Sequence, residues 1–460
     1  MKKNIINELI KSLGSDKVTA DADILEKYSM DETSDLKGRA DILVRAESAQ
    51  DVSTILKLCG KFKVPVIPRG AGTGVTGGAV PMTGGVVLSL EKLNRIIEID
   101  SANMVAVVEP GVITSEIDKA VKQYGLYYPP DPASLDICSI GGNVAENAGG
   151  ARAVKYGTTK DYILGLEFVL PDGTIIQSGG KNIKNVTGYN IAGLLCASEG
   201  SLAVITKIFL RLIPAPAVVK DILIPFDSID EAVNSVTKIL SSNIMPVALE
   251  FMEKDALELA SKYLEKNFPY PEAGAHLLIQ IDGPTDESVV SVMEKIASCI
   301  NVEMDKISAA ESDIQREIIW KARRSMRKAI ESESPVFLAE DSVVPRSEIP
   351  AFLKEIKTKL IEWNLRSVMF GHAGDGNVHI DVLKGSMNND EWKKIVPLVK
   401  EMIYKTAVSL GGTITGEHGI GFTRKEYLGI ALSDGEIELM KKIKKAFDPE
   451  GILNPGKIFR

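Results

Sequence analysis

Residues 68–81 read PRGAGTGVTGGAVP, and this stretch constrains the fold of the chain more than any other. Inside it, residues 72–77 (GTGVTG) match G-x-G-x-x-G, the loop that opens the helix of a dinucleotide-binding unit. That helix has to begin at the loop, because its N-terminus receives the pyrophosphate. Here Gly78, Pro81, Gly84 and Gly85 come next, and a helix interior does not tolerate that density of Gly and Pro. The spacing instead predicts a strand at GVVLSL. Context therefore excludes a nicotinamide-dinucleotide fold but not phosphate binding. Successive glycines let backbone N–H groups turn inward as an anion nest, with Arg69 beside it to offset charge.

The chain has 460 residues, which at roughly 150 per domain implies two or three domains. Its formal net charge is −8, with no basic stripe interleaved with aromatics, so nucleic acid is not an expected partner. No window reaches about 18 consecutive apolar residues, and MKKNIINELIKSLGSDK carries no secretory h-region, so neither a membrane span nor a signal peptide is expected. Cys59, Cys138, Cys196 and Cys299 form no C-x-x-C pair. That excludes the familiar iron–sulfur and zinc-ribbon spacings and suits a reducing cytoplasm.

Residues 1–63 read as mainly helical, with Val52, Ile55, Leu56, Cys59 and Phe62 at helical spacing. Short strands and turns follow, including a hairpin, ILGLEFVL–PDG–TIIQSG, turning at Asp172-Gly173. The run from Pro129 to about Tyr162 reads as long, irregular and therefore functional. LIPAPAVVK (212–220) reads as a linker. Beyond it, strand-like stretches alternate with charged helices near 229–241, 286–300, 311–330 and 390–409. The expected class is α+β: a first domain over 1–215, a second α+β domain with an antiparallel sheet over 216–415, and a segment 416–460 that returns to the first.

Three of the four histidines fall in two glycine-rich motifs, GHAGDGNVH (371–379) and GEHGIG (416–421). His372 and His379 flank a polar turn between two predicted strands, so their imidazoles can converge. With Glu417 they form a two-His, one-carboxylate set that leaves positions open on one divalent metal (Zn, Fe or Mn). His276, in a predicted strand, is expected to be structural.

The glycine segment, PPDPAS (129–134), CSIGGNVAENAGGARAVKYGTTKDYILGLEFVLPDG (138–173), GYNIAGLLCASEGSLAVIT (188–206) and the terminal FDPEGILNPGKIF (447–459) resemble the vanillyl-alcohol oxidase / p-cresol methylhydroxylase (PCMH) FAD superfamily. Within it, the chain is similar to the FAD-linked D-2-hydroxyacid dehydrogenases over nearly its whole length. The resemblance implies a two-subdomain PCMH-type FAD-binding domain and a cap domain that receives substrate. It assigns Arg69, Gly70, Ala71, Gly72, Thr73, Gly74, Gly77 and Gly78 to the FAD pyrophosphate. Pro130, Asp131, Ser134, Gly141, Gly142, Asn147, Gly149, Gly150 and Gly157 go to the flavin and ribityl region. Glu199, Gly200 and Ile205 go to the adenine end, and Asn454 lies beside the isoalloxazine. Some relatives attach FAD through a histidine near this loop. Thr73 stands where it would be, and the first histidine is His276, so the FAD is expected to be non-covalent.

The same resemblance matches His372, His379 and Glu417 to metal ligands, His418 to the catalytic base and Arg323 of WKARRSMRK, through W-x-x-R, to the substrate carboxylate. Oxidising a 2-hydroxyacid removes a hydroxyl proton and a hydride from one carbon. A metal on the hydroxyl lowers its pKa, a histidine accepts the proton near neutrality, and an arginine pairs with the carboxylate. Arg327 is read as one turn from Arg323, Arg324 as solvated, and Asn377 as a substrate or orienting group. D-2-hydroxyglutarate enzymes carry a Lys just before the Asp of a later motif. Here FLAEDSVVP has Ala339 and Glu340 before Asp341, which points to a small monocarboxylate such as D-lactate. Glycolate, D-2-hydroxyglutarate, a metal-free flavin oxidase of the same fold and a non-catalytic electron-transfer subunit are the alternatives. One flavin and no second redox motif imply an external acceptor, an electron-transfer flavoprotein among the candidates. The oligomeric state is left open.

Overall fold

In the computed structural model, which describes residues 2–310 and 312–459, the chain forms two compact units. The first comprises residues 1–149, 158–215 and 417–460; the second comprises 150–157 and 216–416. The octapeptide Gly150–Gly157, read from sequence as part of the first domain, is counted with the second unit. Its Ala151 packs into the second unit's core, and Lys155 and Tyr156 bond the carboxylate of Asp282.

The first unit carries two sheets. In one, strands Ile42–Arg45, Val86–Ser89 and Val66–Arg69 run parallel, with Val18–Thr19 antiparallel at the edge. Within residues 1–63, which the sequence presents as mainly helical, Ile42–Arg45 is a strand. Parallel strands are covered on both faces and show continuous apolar runs rather than alternation, which hides them from periodicity. Helices Lys2–Leu13 and Ala49–Phe62 pack on this sheet through Leu9, Ile55, Leu56 and Cys59. The second sheet is antiparallel, in the order Ile96–Asp100, Val105–Val108, Val204–Arg211, Ile163–Val169, Ile175–Gly179, and contains the expected hairpin. The stretch read as irregular contains a helix, Ile140–Glu146, in which Gly141 lies against Pro110 too closely for any side chain.

The terminal segment closes onto the first sheet. Val66 bridges Leu453 in parallel, and Asp448 accepts N–H bonds from Ile452 and Leu453 while pairing with Lys444. Lys444 also bonds the carbonyls of Ser201 and Leu453.

The second unit is built on one seven-stranded antiparallel sheet. Its order is Ser308–Ala309, Val218–Phe226, Ala275–Gly283, Ala248–Glu253, Arg366–His372, Asn377–Leu383, Phe337–Val343. Residues directly opposite in an antiparallel pair share a face. The register therefore puts Glu250, His372, Asn377, His379 and Asp341 on one face, and Glu340, Val378 and Ile380 on the other. The first face is partly covered by helices Lys254–Leu264, Asp313–Arg324 and Met326–Glu333, whose Leu257, Trp320 and Met326 meet Met252, Leu278 and Phe370 in one core. On the other, helix Asn389–Ser409 sends Tyr404 and Lys400 to Glu340. The helix read over 311–330 breaks at Ser325, so Arg323 and Arg327 lie on different helices.

Asp448→Ala removes an acceptor that satisfies two buried N–H groups and one ammonium. It is expected to cost about 2–4 kcal/mol. Calorimetry should show the melting temperature falling by several degrees; an unchanged transition would contradict the clamp.

Candidate functional site

The glycine loop leaves strand Val66–Arg69 and is braced from several sides. Gly72 and Gly77 have φ of +76° and +78°, where only glycine is unstrained. A Cβ on Gly72 would also lie 2.1 Å from Nη2 of Arg69. The Arg69 guanidinium thus forms the floor of the loop. It stacks over Tyr28 and donates to the carbonyl of Met30 at 2.7 Å, and its burial lowers its pKa from the ordinary arginine value. Ala71 donates to Ser139 Oγ, and Gly77 to Thr33 Oγ1. The terminal segment holds the rest. Lys457 donates to the carbonyls of Gly77 and Val80, and Asn454 to those of Gly78 and Glu199. Phe422 and Thr423 donate to the carbonyl of Thr76.

The loop fits a dinucleotide cofactor on two counts. A Cβ on Gly74 would have only Asp31 Oδ2, 3.9 Å away, within 4 Å. Glu146 Oε2 and Asn454 Oδ1 are buried polar atoms that lack a hydrogen-bond partner among the described residues, and such atoms are rare in native proteins unless a ligand or water serves them.

The other residues assigned to FAD divide between open positions and structural braces. Pro130, Asp131 and Ser134 lie in the turn-rich stretch before helix Ile140–Glu146, and Gly142 lies in its first turn. Asn147 Oδ1 accepts from Thr158 Oγ1 and from the N–H of Lys160. A Cβ on Gly149 would meet Glu417 Oε2 at 3.5 Å, so this glycine leaves room for that carboxylate. Gly150 and Gly157 belong to the second unit. Glu199, which the resemblance assigns to the adenine end, has a carboxylate that accepts the N–H groups of Ile420 and Gly421 at 2.8 and 2.7 Å. Gly200 packs beside Pro68, and Ile205 is a buried strand residue paired with Phe168. Thr73 is half-buried in the loop.

In the second unit, His372 ends one strand and His379 lies on its neighbour, both on the face described above. Their rings stand edge to face with centroids 5.2 Å apart, and each offers a ligand nitrogen within 4.8 Å of the other. Beneath them lies Glu250, fully buried. Its Oε1 is 2.8 Å from His372 Nδ1, and its Oε2 accepts from Arg323 Nε at 2.7 Å. Burial acts to raise the Glu250 pKa, but His372 and Arg323 outweigh it and hold the carboxyl below its ordinary value. A carboxylate on Nδ1 fixes the ring and directs Nε2 outward, the usual support of a metal-binding histidine. Sequence reading missed Glu250, because a Glu in the strand ALEFME carries no motif.

Phe370 stacks against His379, and the Arg323 guanidinium lies 4.9 Å over the Phe370 ring. Asn377 is buried. Its Nδ2 donates to the carbonyl of Ser342, and its Oδ1 has no partner among the described residues. Asp341, opposite His379 in register, accepts from Thr415 Oγ1 and the N–H of Gly416. In the first unit, His418 Nε2 lies 3.8 Å from Glu417 Oε1, and the His418 carbonyl accepts from Thr76 Oγ1.

Two expectations change, those for Arg327 and Glu340. Arg327 stacks on Phe337 from a separate helix instead of following Arg323 by one turn. Arg324 is exposed, as read. Glu340 turns away from the histidine face to Tyr404 and Lys400, so it cannot repel a second substrate carboxylate as the sequence argument required. His276 is buried and donates Nε2 to the Pro269 carbonyl.

Residues 215–458 match the FAD linked oxidases, C-terminal domain, and residues 40–179 match the FAD binding domain. The chain is 41% identical to the glycolate oxidase subunit GlcD of Bacillus subtilis, covering 94% of this chain and 92% of that one. It is 38% identical to a D-lactate dehydrogenase of Anaerostipes hadrus, covering 98% and 96%. Among solved structures, p-cresol methylhydroxylase with substrate bound superposes with a TM-score of 0.81 at 20% identity, over 99% of this chain and 96% of that one. The protein belongs to the FAD-linked oxidases, with PCMH-type FAD-binding and cap domains. Within that family it is an FAD-dependent oxidoreductase of the D-lactate, glycolate and D-2-hydroxyglutarate dehydrogenase group. No helix among the described residues is long and apolar enough to cross a membrane.

Glu250→Ala leaves Arg323 and His372 buried without their carboxylate. The expected loss is about 3–5 kcal/mol, read as a lower melting temperature. A variant as stable as the parent would show that the carboxylate does not hold the pair.

Proposed function

We propose that the protein oxidises a small D-2-hydroxyacid, D-lactate foremost, to the 2-oxoacid, with a divalent metal (Zn, Fe or Mn) held by His372, His379 and Glu417. The observation that carries this reading is the His372–Glu250 bond: a buried carboxylate occupies Nδ1 at 2.8 Å and leaves Nε2 as the donor. A ring supported in this way, beside a second imidazole, is suited to ligating a metal.

FAD, bound without a covalent link, supplies the hydride acceptor. Arg323 takes the substrate carboxylate, its Nε fixed by Glu250 so that the guanidinium is held in one orientation. His418 accepts the hydroxyl proton, and Asn377, through its buried Oδ1, orients the substrate or a ligand. The metal would lower the hydroxyl pKa. The electrons leave to an external acceptor, an electron-transfer flavoprotein being one candidate. The cytoplasm is the compartment of this reading, supported by four unpaired cysteines that suit a reducing environment.

Because Glu340 faces away from the histidines, the preference for D-lactate over longer acids rests on the relatives named D-lactate dehydrogenase and not on that residue. Glycolate is the second candidate, through the Bacillus subtilis relative. Anaerobic mixing with D-lactate, L-lactate, glycolate and D-2-hydroxyglutarate should bleach the flavin fastest with D-lactate. Removing metal, checked by elemental analysis, should slow bleaching at least about a hundredfold, as should His418→Ala with FAD still bound. Bleaching by none of the four acids would refute the activity. Full rates without metal would refute the ligand set.

A further inference from the structure

Glu146 is a half-buried acid in the first unit to which none of the roles above is assigned. It ends helix Ile140–Glu146, and its Oε2 is buried without a hydrogen-bond partner among the described residues. A Cβ on Gly419 would stand 2.5 Å from that oxygen, and one on Gly78 would stand 3.3 Å from Oε1. The carboxyl therefore lies between the cofactor loop and the GEHGIG motif, with bare backbone on both sides. The second orphan atom nearby, Asn454 Oδ1, belongs to a side chain whose amide donates to the carbonyl of Gly78. Glu146 and Asn454, each with one unsatisfied polar atom, thus both border Gly78 of the loop assigned to FAD. Buried polar atoms in native proteins are rarely left unpaired, so a ligand atom is expected there.

The charges around Glu146 decide which way that bond runs. Glu199, from the turn after helix Ile191–Leu195, and Asp31, from the segment before the first parallel strand, bring like charge, while Arg424 opposes them. Lys457 stands by Asp31 and Glu199, and Arg69 beneath the loop faces Asp31. Burial, then Glu199 and Asp31, push the Glu146 carboxyl well above the usual carboxylate range. An ionised carboxylate could only accept, and phosphate and ribityl phosphate-ester oxygens are acceptors too. A protonated carboxyl has an O–H to give.

We propose that Glu146 is a cofactor-positioning residue that donates a hydrogen bond from its carboxyl to an oxygen of bound FAD. This rests on FAD binding alone and is read through cofactor affinity, not turnover, so it stands or falls apart from the substrate, metal and base assignments.

The test is reconstitution of the apoprotein with FAD, followed by flavin fluorescence, for the parent, Glu146→Gln and Glu146→Leu between pH 6 and 9. The glutamine keeps an N–H donor and should bind within about threefold of the parent at pH 6. The leucine should bind about tenfold more weakly, the equivalent of about 1.4 kcal/mol. Parental affinity should fall as pH rises and the donor proton is lost, whereas that of the glutamine variant should stay flat. Leucine binding as tight as the parent's, or the same pH slope in the glutamine variant, would overturn the proposal. If the leucine variant does not fold, the pH profiles of the parent and the glutamine variant decide it.

Discussion

The buried carboxylate of Glu250 organises the second unit. It sits at the centre of the seven-stranded sheet and meets two cationic or potentially cationic groups, Arg323 from a covering helix and His372 from the next strand. A carboxylate this deep is tolerable only when its charge is met and its lone pairs are filled. Glu250 satisfies both conditions and imposes one on each partner. It fixes the tautomer and direction of the His372 ring, and it holds Arg323 over Phe370. Phe370 in turn stacks on His379. One buried charge therefore orients the imidazole pair and the arginine together, which the proposed chemistry needs.

The first unit uses its terminal segment in a comparable way. A glycine loop has little stiffness of its own, because glycine gains no support from side-chain packing. Rigidity comes from outside, through Arg69 below the loop and through Lys457, Asn454 and Phe422 from the chain's last residues. Glu199 and Asp448 fasten that segment by accepting its backbone N–H groups. Glu199 and Asn147, expected from sequence at the cofactor, also tie backbone and side-chain groups of the cradle together.

Much of this was legible in the amino-acid order, and the failures have physical reasons. The glycine and proline after GTGVTG excluded a helix, and the chain does continue into strand Val86–Ser89. The two histidines flank a turn between neighbouring strands, as GHAGDGNVH implied. Ile42–Arg45 escaped because a strand buried on both faces lacks alternation. Glu250 escaped because its importance lies in partners 73 and 122 residues away, which no local pattern encodes. Glu340 was misjudged because adjacent strand residues face opposite ways: Asp341 shares the face of His379 and Glu340 does not.

The central claim is that one divalent ion is held by this histidine pair, and anomalous diffraction tests it most directly. Crystals of the protein, as purified and after loading with Zn, Fe or Mn, would be measured at each metal's absorption edge. The account predicts one strong peak ligated by the outward nitrogen of His372, with His379 and Glu417 as co-ligands. A peak at other residues, or none after loading, would contradict it.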